Sequence, residues 1–288
     1  MNIMSEKTIA AIMYDFDKTL CTRDMQDYQF IPSLGMTSAE FWKKANIFGR
    51  DKQMDSVLAY MYTMIRESKR KKVPIFRDTL VEQGKSVELF NGLDTWFDRI
   101  NSFGETQGVQ VEHYVISSGL KEIIEGTKIS ERFKKIYACE FYYDDETKEA
   151  VWPITAVNYT NKTQFVYRIN KGVLDVSNDE DLNRSMPDSV KRIPFTNMVY
   201  IGDGLSDVPC MKMMKSYGGQ AIAVYQNDNP KVRELLKRGR VDYIFPADYS
   251  ENSSLEVTIK NIIRKIAVCD KLYFENVRQK FFISGVQG

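Results

Sequence analysis

The segment TIAAIMYDFDKTL, residues 8–20, sets the reading of the whole chain. Thr8 to Tyr14 is a short apolar run of the kind that forms a buried strand of a parallel sheet. Two acids follow it immediately, Asp15 and Asp17. On extended backbone, residues two apart point to the same side, so their carboxylates converge just past the strand's end. In open α/β sheets that is where ligands bind. Two carboxylates so close do not both ionise freely unless a cation intervenes, which separates their roles: one attacks or holds metal, the other keeps a proton. A DxD pair is also common in surface turns, so its company decides.

Four further β-branched runs read as strands: His113 to Ile116, Asn197 to Ile201, Ala221 to Tyr225 and Val241 to Phe245. Helical patterns lie between the later ones, which predicts an α/β fold with a doubly wound, mainly parallel, Rossmann-like sheet. Nearly a hundred residues of different texture separate the first two strands. Thr37, Ser38, Ala39 and Glu40 fit a capping box opening a helix with Phe41 and Trp42. Met54, Val57, Leu58, Met61, Met64 and Ile65 mark a second helix with one apolar face. Leu89, Leu93, Trp96, Phe97 and Ile100 give a third, at the border with the core. The expected division is a core of residues 1–21 and 105–288 with a helical cap inserted at 22–104. Farther on, residues 138–157 read as a hairpin around Asp144 to Thr147, 176–192 as a polar excursion, and Leu255 to Ile266 as an amphipathic helix.

Three more segments carry candidate chemistry. In VYIGDGLSD, residues 199–207, a strand runs into glycines and two acids, Asp203 and Asp207. Magnesium takes one or two carboxylates, waters and phosphate oxygens, so such a loop suits it; the competing reading is a turn whose Asp side chains bond local backbone. In VISSG, residues 115–119, Ser117, Ser118 and Gly119 end a strand before a helix starting near Leu120. Helix N-termini offer free N–H groups to a phosphate, although Ser is equally common as a plain N-cap. At NKTQ, residues 161–164, Lys162 opens a helix whose apolar side is Phe165, Val166 and Ile169. A cation is unfavourable at a helix start, which suggests that it meets an anion.

Composition narrows the partners. The 288 residues are 43% hydrophobic, enough for a full core and a modest second unit. Lys and Arg total 40 against 39 acids, so no global field draws in nucleic acid or anionic lipid. No apolar run approaches the ~20 residues that cross a bilayer, and no secretion signal is read at the N-terminus, which sets a cytoplasmic expectation. Cys21, Cys139, Cys210 and Cys269 lack metal or redox spacing and read as reduced thiols. The single histidine, His113, lies in an apolar strand and reads as structural.

Taken in order, DFDKTL, ISSG, the lysine of NKT and GDGLSD resemble the four motifs of the haloacid dehalogenase-like superfamily, closest to its phosphoserine phosphatase-like branch. The resemblance spans nearly the whole chain. It implies Asp15 as nucleophile, Asp17 as general acid and base, and Ser117 as the phosphate-binding hydroxyl, with Ser118 and Gly119 beside it. It further implies that Lys162 steadies the nucleophile and the phosphoryl group. Mg2+ would be held by Asp15, the backbone carbonyl of Asp17 and Asp203, with Asp207 in support. Lys171 is a second candidate for the lysine's role, less well placed than Lys162. The implied activity is hydrolysis of a small phosphorylated metabolite through an aspartyl-phosphate, with phosphotransferase, phosphomutase or a non-catalytic binding module as alternatives. Asp17 argues against a dehalogenase, which needs no second acid. Two departures matter: Ser206 stands where phosphoserine phosphatases resemble one another in having Asn, and the Lys162 to Asp203 segment is long. Asp24 is read as a cap-entry turn or a contact for a substrate amine, and Tyr28, Trp42 and Arg50 as cap side chains that could read the leaving group.

Overall fold

The computed structural model describes residues 8–187, 190–227 and 229–284. Seven strands form one sheet: β1 (Thr8–Tyr14), β2 (Val109–Leu120), β3 (Lys135–Tyr143), β4 (Ala150–Thr155), β5 (Met198–Gly202), β6 (Gln220–Tyr225) and β7 (Tyr243–Pro246). Their order is β4-β3-β2-β1-β5-β6-β7, parallel throughout except for the antiparallel β3–β4 hairpin. The chain builds one side of β1 with β2 and β3, then crosses to build the other with β5 to β7. That reversal opens a crevice beyond the carboxyl ends of β1 and β5. β1 is buried on both faces from Ala10 to Tyr14, as its unbroken apolar run requires.

Between β1 and β2 stand α1 (Phe30–Ser33), α2 (Ser38–Asp51), α3 (Ser56–Lys71), α4 (Arg77–Gly84) and α5 (Leu93–Thr106). The capping box is present: Thr37 accepts from the Glu40 N–H, and Glu40 accepts from the Thr37 N–H. Asp55 caps α3 by accepting from Val57 and Leu58. The apolar stripes of α2 and α3 pack together through Phe41, Ala45, Val57, Met61 and Met64. α5 behaves differently, packing on β2 and on the C-terminal helix, so it belongs with the sheet. Its Trp96 is fully buried and donates to the Tyr14 hydroxyl at 2.9 Å.

The remaining helices are α6 (Lys121–Glu125), α7 (Lys162–Lys171), α8 (Asp179–Asn183), α9 (Val208–Ser216), α10 (Pro230–Lys237) and α11 (Ser254–Ser284). As read from the sequence, the serines lie at a strand end: β2 runs on through Ser117 to Leu120, with a register irregularity against β3, and the helix begins at Lys121. Two features depart from the sequence expectation. The polar excursion carries α8 and is pinned by fully buried Arg168, which donates to the carbonyls of Asp175, Val176 and Asn178. α11 extends well past Ile266, and there its side chains change character: Val268, Leu272 and Tyr273 are exposed.

His113 is buried in β2, its Nδ1 accepting from the Tyr14 hydroxyl at 3.0 Å and its Nε2 paired with Asn101 Oδ1 at 2.9 Å. Every polar atom of the ring is thereby used inside the core. Cys21, Cys139 and Cys210 are buried and Cys269 exposed, all as free thiols. Among the described residues no helix is long and apolar enough to cross a membrane.

Candidate active site

The ends of β1 and β5 are stitched by the Asp15 N–H, which donates to the Ile201 carbonyl at 2.9 Å. This brings DFDKTL against GDGLSD, although the two are nearly 190 residues apart in sequence. Asp15, Asp203 and Asp207 each offer one carboxylate oxygen within 4.8 Å of the others. A side chain at Gly202 would collide with the Asp207 carboxylate, so glycine is what lets that acid fold back under the strand end. Tyr200 fixes it there by donating to Asp207 Oδ1 at 2.7 Å.

Lys162, the first residue of α7, is fully buried and stands between two of these acids. Its Nζ is 2.8 Å from Asp15 Oδ1 and 2.8 Å from Asp207 Oδ1. The anion that its place at a helix start demands is therefore supplied twice over. Burial pushes the ammonium pKa down, but the charges of Asp15 and Asp207 outweigh it and leave the lysine firmly protonated, above its ordinary value. Lys171, at the far end of the same helix, donates instead to the carbonyls of Leu182 and Arg184 and takes no part in the site.

Asp17 leans the other way. Its Oδ1 accepts the Met25 N–H at 2.8 Å, which ties it to the entry of the helical insert. Burial, then the charges of Asp24 and Asp15, raise its pKa well above the ordinary carboxylate value, so the neutral acid is favoured. Asp15 is pushed up to about 6 by burial, offset by Lys162 and reinforced by Asp207. Asp203 is pushed up to about 8 by burial and by Asp15 and Asp207. Crowded, buried carboxylates are the hard oxygen donors that a divalent cation such as Mg2+ prefers, and its charge would relieve their repulsion. The residues thus fit the ion.

Ser117 is fully buried and its Oγ accepts the Gly119 N–H at 3.0 Å, leaving its own proton without an acceptor among the described residues. Any side chain at Gly119 would strike Met25 and crowd Asp17 Oδ2. The Ser118 carbonyl accepts from Tyr60 Oη of α3 at 2.7 Å, while its hydroxyl is buried without a hydrogen-bond partner among the described residues.

Lys18, between Asp17 and Thr19, has a left-handed backbone (φ 58°), a conformation costing a non-glycine residue on the order of 1 kcal/mol. Its Nζ lies 2.7 Å from both oxygens of Asp24. Of the cap side chains, Tyr28 is taken up by Thr22, the Arg23 N–H and the Glu88 carbonyl, and Trp42 by Asp27 and the edge of Tyr60. Arg50 lines a separate cavity of about 380 Å3 with Asn46, Gly49 and Met54. Tyr200, the Met25 N–H and the Lys18–Asp24 pair were not foreseen. For Tyr200 a signal existed, since a tyrosine in an otherwise aliphatic buried strand needs a hydroxyl partner.

No protein-family profile matches the chain. An uncharacterized protein of Borreliella burgdorferi is 28% identical, across 88% of this chain and 96% of that one. A HAD-family hydrolase of Salmonella enterica serovar Typhi is similar in structure, with a TM-score of 0.53 and 17% identity over 81% of this chain; the match spans 66% of that hydrolase. A phosphoserine phosphatase solved as a phospho-aspartyl intermediate analogue gives a TM-score of 0.52 and 16% identity, covering 88% of this chain and 99% of that one. The chain therefore has the fold of the haloacid dehalogenase-like hydrolases, in the form found in the phosphoserine phosphatase-like branch.

Proposed function

We propose that this chain is a magnesium-dependent phosphomonoester hydrolase that works through a phosphorylated Asp15. The observation that carries the reading is the meeting of the Asp15 carboxylate, the Lys162 ammonium and the Asp203 and Asp207 carboxylates at one strand edge, the acids within 4.8 Å and the lysine at 2.8 Å. The phospho-aspartyl analogue captured in a phosphoserine phosphatase of the same fold supports it.

Asp15, the backbone carbonyl of Asp17 and Asp203 would hold Mg2+, with Asp207 in support; when bound, the ion supplies charge neutralisation at the phosphoryl oxygens. A carboxylate oxygen of Asp15 attacks phosphorus while the bond to the leaving alcohol breaks. Asp17, kept protonated by its surroundings, gives its proton to the departing oxygen. In the second half, ionised Asp17 takes a proton from water, the resulting oxygen attacks phosphorus, and Asp15 is released with inorganic phosphate. Lys162 and the free proton of Ser117 bind the charge that spreads over the phosphoryl oxygens, and Lys162 is held on line by Asp207 and Tyr200. Helices α2 and α3 serve as the cap over this edge, joined to it through Tyr60 and Ser118.

The test is turnover of p-nitrophenyl phosphate with and without Mg2+. Hydrolysis that needs the ion and disappears in Asp15→Asn is expected. Metal-independent hydrolysis that persists in that variant would sink the reading.

A further inference from the structure

Two lysines serve this edge of the sheet, and they differ in access. Lys162 is sealed between Asp15 and Asp207. Lys18 follows the proton donor directly and its side chain is 46% exposed. An ammonium has three protons to donate. Two go to the oxygens of Asp24, both at 2.7 Å, and the third has no acceptor among the described residues. Asp24, 30% exposed in its side chain, thus already has both oxygens engaged by a cation.

We propose that Lys18, braced by Asp24, selects phosphomonoesters whose leaving group carries a second anion, a carboxylate or another phosphate, near the ester oxygen. This rests on the hydrolase reading above. The leaving oxygen must meet Asp17, whose Oδ1 is 2.8 Å from the backbone N of Met25, the residue after Asp24, so groups attached to that oxygen pass the Lys18–Asp24 pair. There an anion finds a free N–H and a positive charge. A leaving group bearing an ammonium meets the same charge, and the carboxylate that would welcome it is occupied. The left-handed backbone at Lys18 is consistent with a functional position, since a lysine stands there in a conformation that glycine adopts more readily.

The experiment compares kcat/KM, with Mg2+, for p-nitrophenyl phosphate, glycerol 3-phosphate, phosphoethanolamine, 3-phosphoglycerate and ethylene glycol bisphosphate. The last two separate carboxylate from phosphate as the anion read. One or both should exceed glycerol 3-phosphate by about tenfold, the size of one charged hydrogen bond, with phosphoethanolamine lowest. Lys18→Met should cut that ratio by about the same factor, Lys18→Arg should keep most of it, and Asp24→Asn should enlarge it. A ratio unmoved by Lys18→Met, or a preference for phosphoethanolamine, overturns the proposal while leaving hydrolysis intact. Should Lys18→Met not fold, Lys18→Gln and Asp24→Asn carry the same comparison. If no ester is hydrolysed, the hydrolase reading falls and this inference with it.

Discussion

Glu112 in β2 and the acids beyond the ends of β1 and β5 belong to one sheet, and Glu112 and Asp15 are buried alike, yet their affinities for protons move in opposite directions. Burial raises Glu112, but hydrogen bonds from Arg192, Lys134 and Tyr114 outweigh it and take its pKa down to about 2. The Arg192 fork grips it at 2.7 and 2.6 Å and the Tyr114 hydroxyl donates at 2.6 Å. Asp15, Asp17 and Asp203 share two lysines among more acids, and their pKa values stay high. A buried carboxylate given enough donors becomes a clamp, here tying the polar excursion to β2. One left short of donors becomes a place where a cation and a phosphoryl group bring the missing interactions.

Exchanging charge for neutrality at the two places should therefore hit different properties. The largest effect is expected from Asp17→Asn, which removes the proton shuttle: kcat should fall by about 10²–10⁴-fold while the melting temperature holds or rises. Unchanged turnover in that variant would erase the distinction. Glu112→Gln should do the reverse, lowering unfolding free energy in urea by roughly 2–3 kcal/mol, discounted for the partial exposure of Arg192 and Lys134, with turnover of the folded protein preserved.

His113 extends the comparison to a buried base whose burial outweighs the neighbouring Glu112 charge. Burial takes its pKa down to about 3, below the ordinary 6.5, so the fold favours the neutral ring. Its contribution is complete above pH 6.5 and is lost as pH falls toward 3, about 2 kcal/mol between pH 6.5 and 5. Asp15, Asp17 and Asp203, raised above the ordinary carboxylate value, act with the opposite sign over the same range, so the His113 slope is read as the difference between the wild-type protein and His113→Gln in urea titrations at several pH values. Glu112 adds acid sensitivity only below its ordinary pKa of 4.5, so above that pH the His113 effect is free of it. The smallest effect is expected for Asp203→Asn, which relieves crowding: the metal-free protein should melt about 2–4 °C higher and lose any stabilisation by added Mg2+. A metal-free melting temperature that drops instead would mean that Asp203 acts as a clamp like Glu112.

Much of this edge was legible in the chain. β1 ends at Tyr14 as read, and Asp15, Lys162, Asp203 and Asp207 meet, because each follows a strand end or opens a helix and such positions are written in local periodicity. Ser118 was harder to place, since serines at a strand-to-helix junction look alike until the strand is seen to run on to Leu120. Helix α5 has the same apolar period whether it packs in an insert or on the sheet; its contacts with β2 and α11 decide. The Glu112–Arg192 clamp joins residues 80 apart and leaves no pattern in either neighbourhood.

The sequence by itself determined the strands, the two acidic motifs at their ends and the lysine at a helix start, because those depend on residues a few positions apart. That Asp24 is held by Lys18, and which buried acids keep their protons, were decided only by the tertiary structure. Charge interactions and desolvation act through space, and the distances that govern them are fixed by how the strands cross over, not by spacing along the chain.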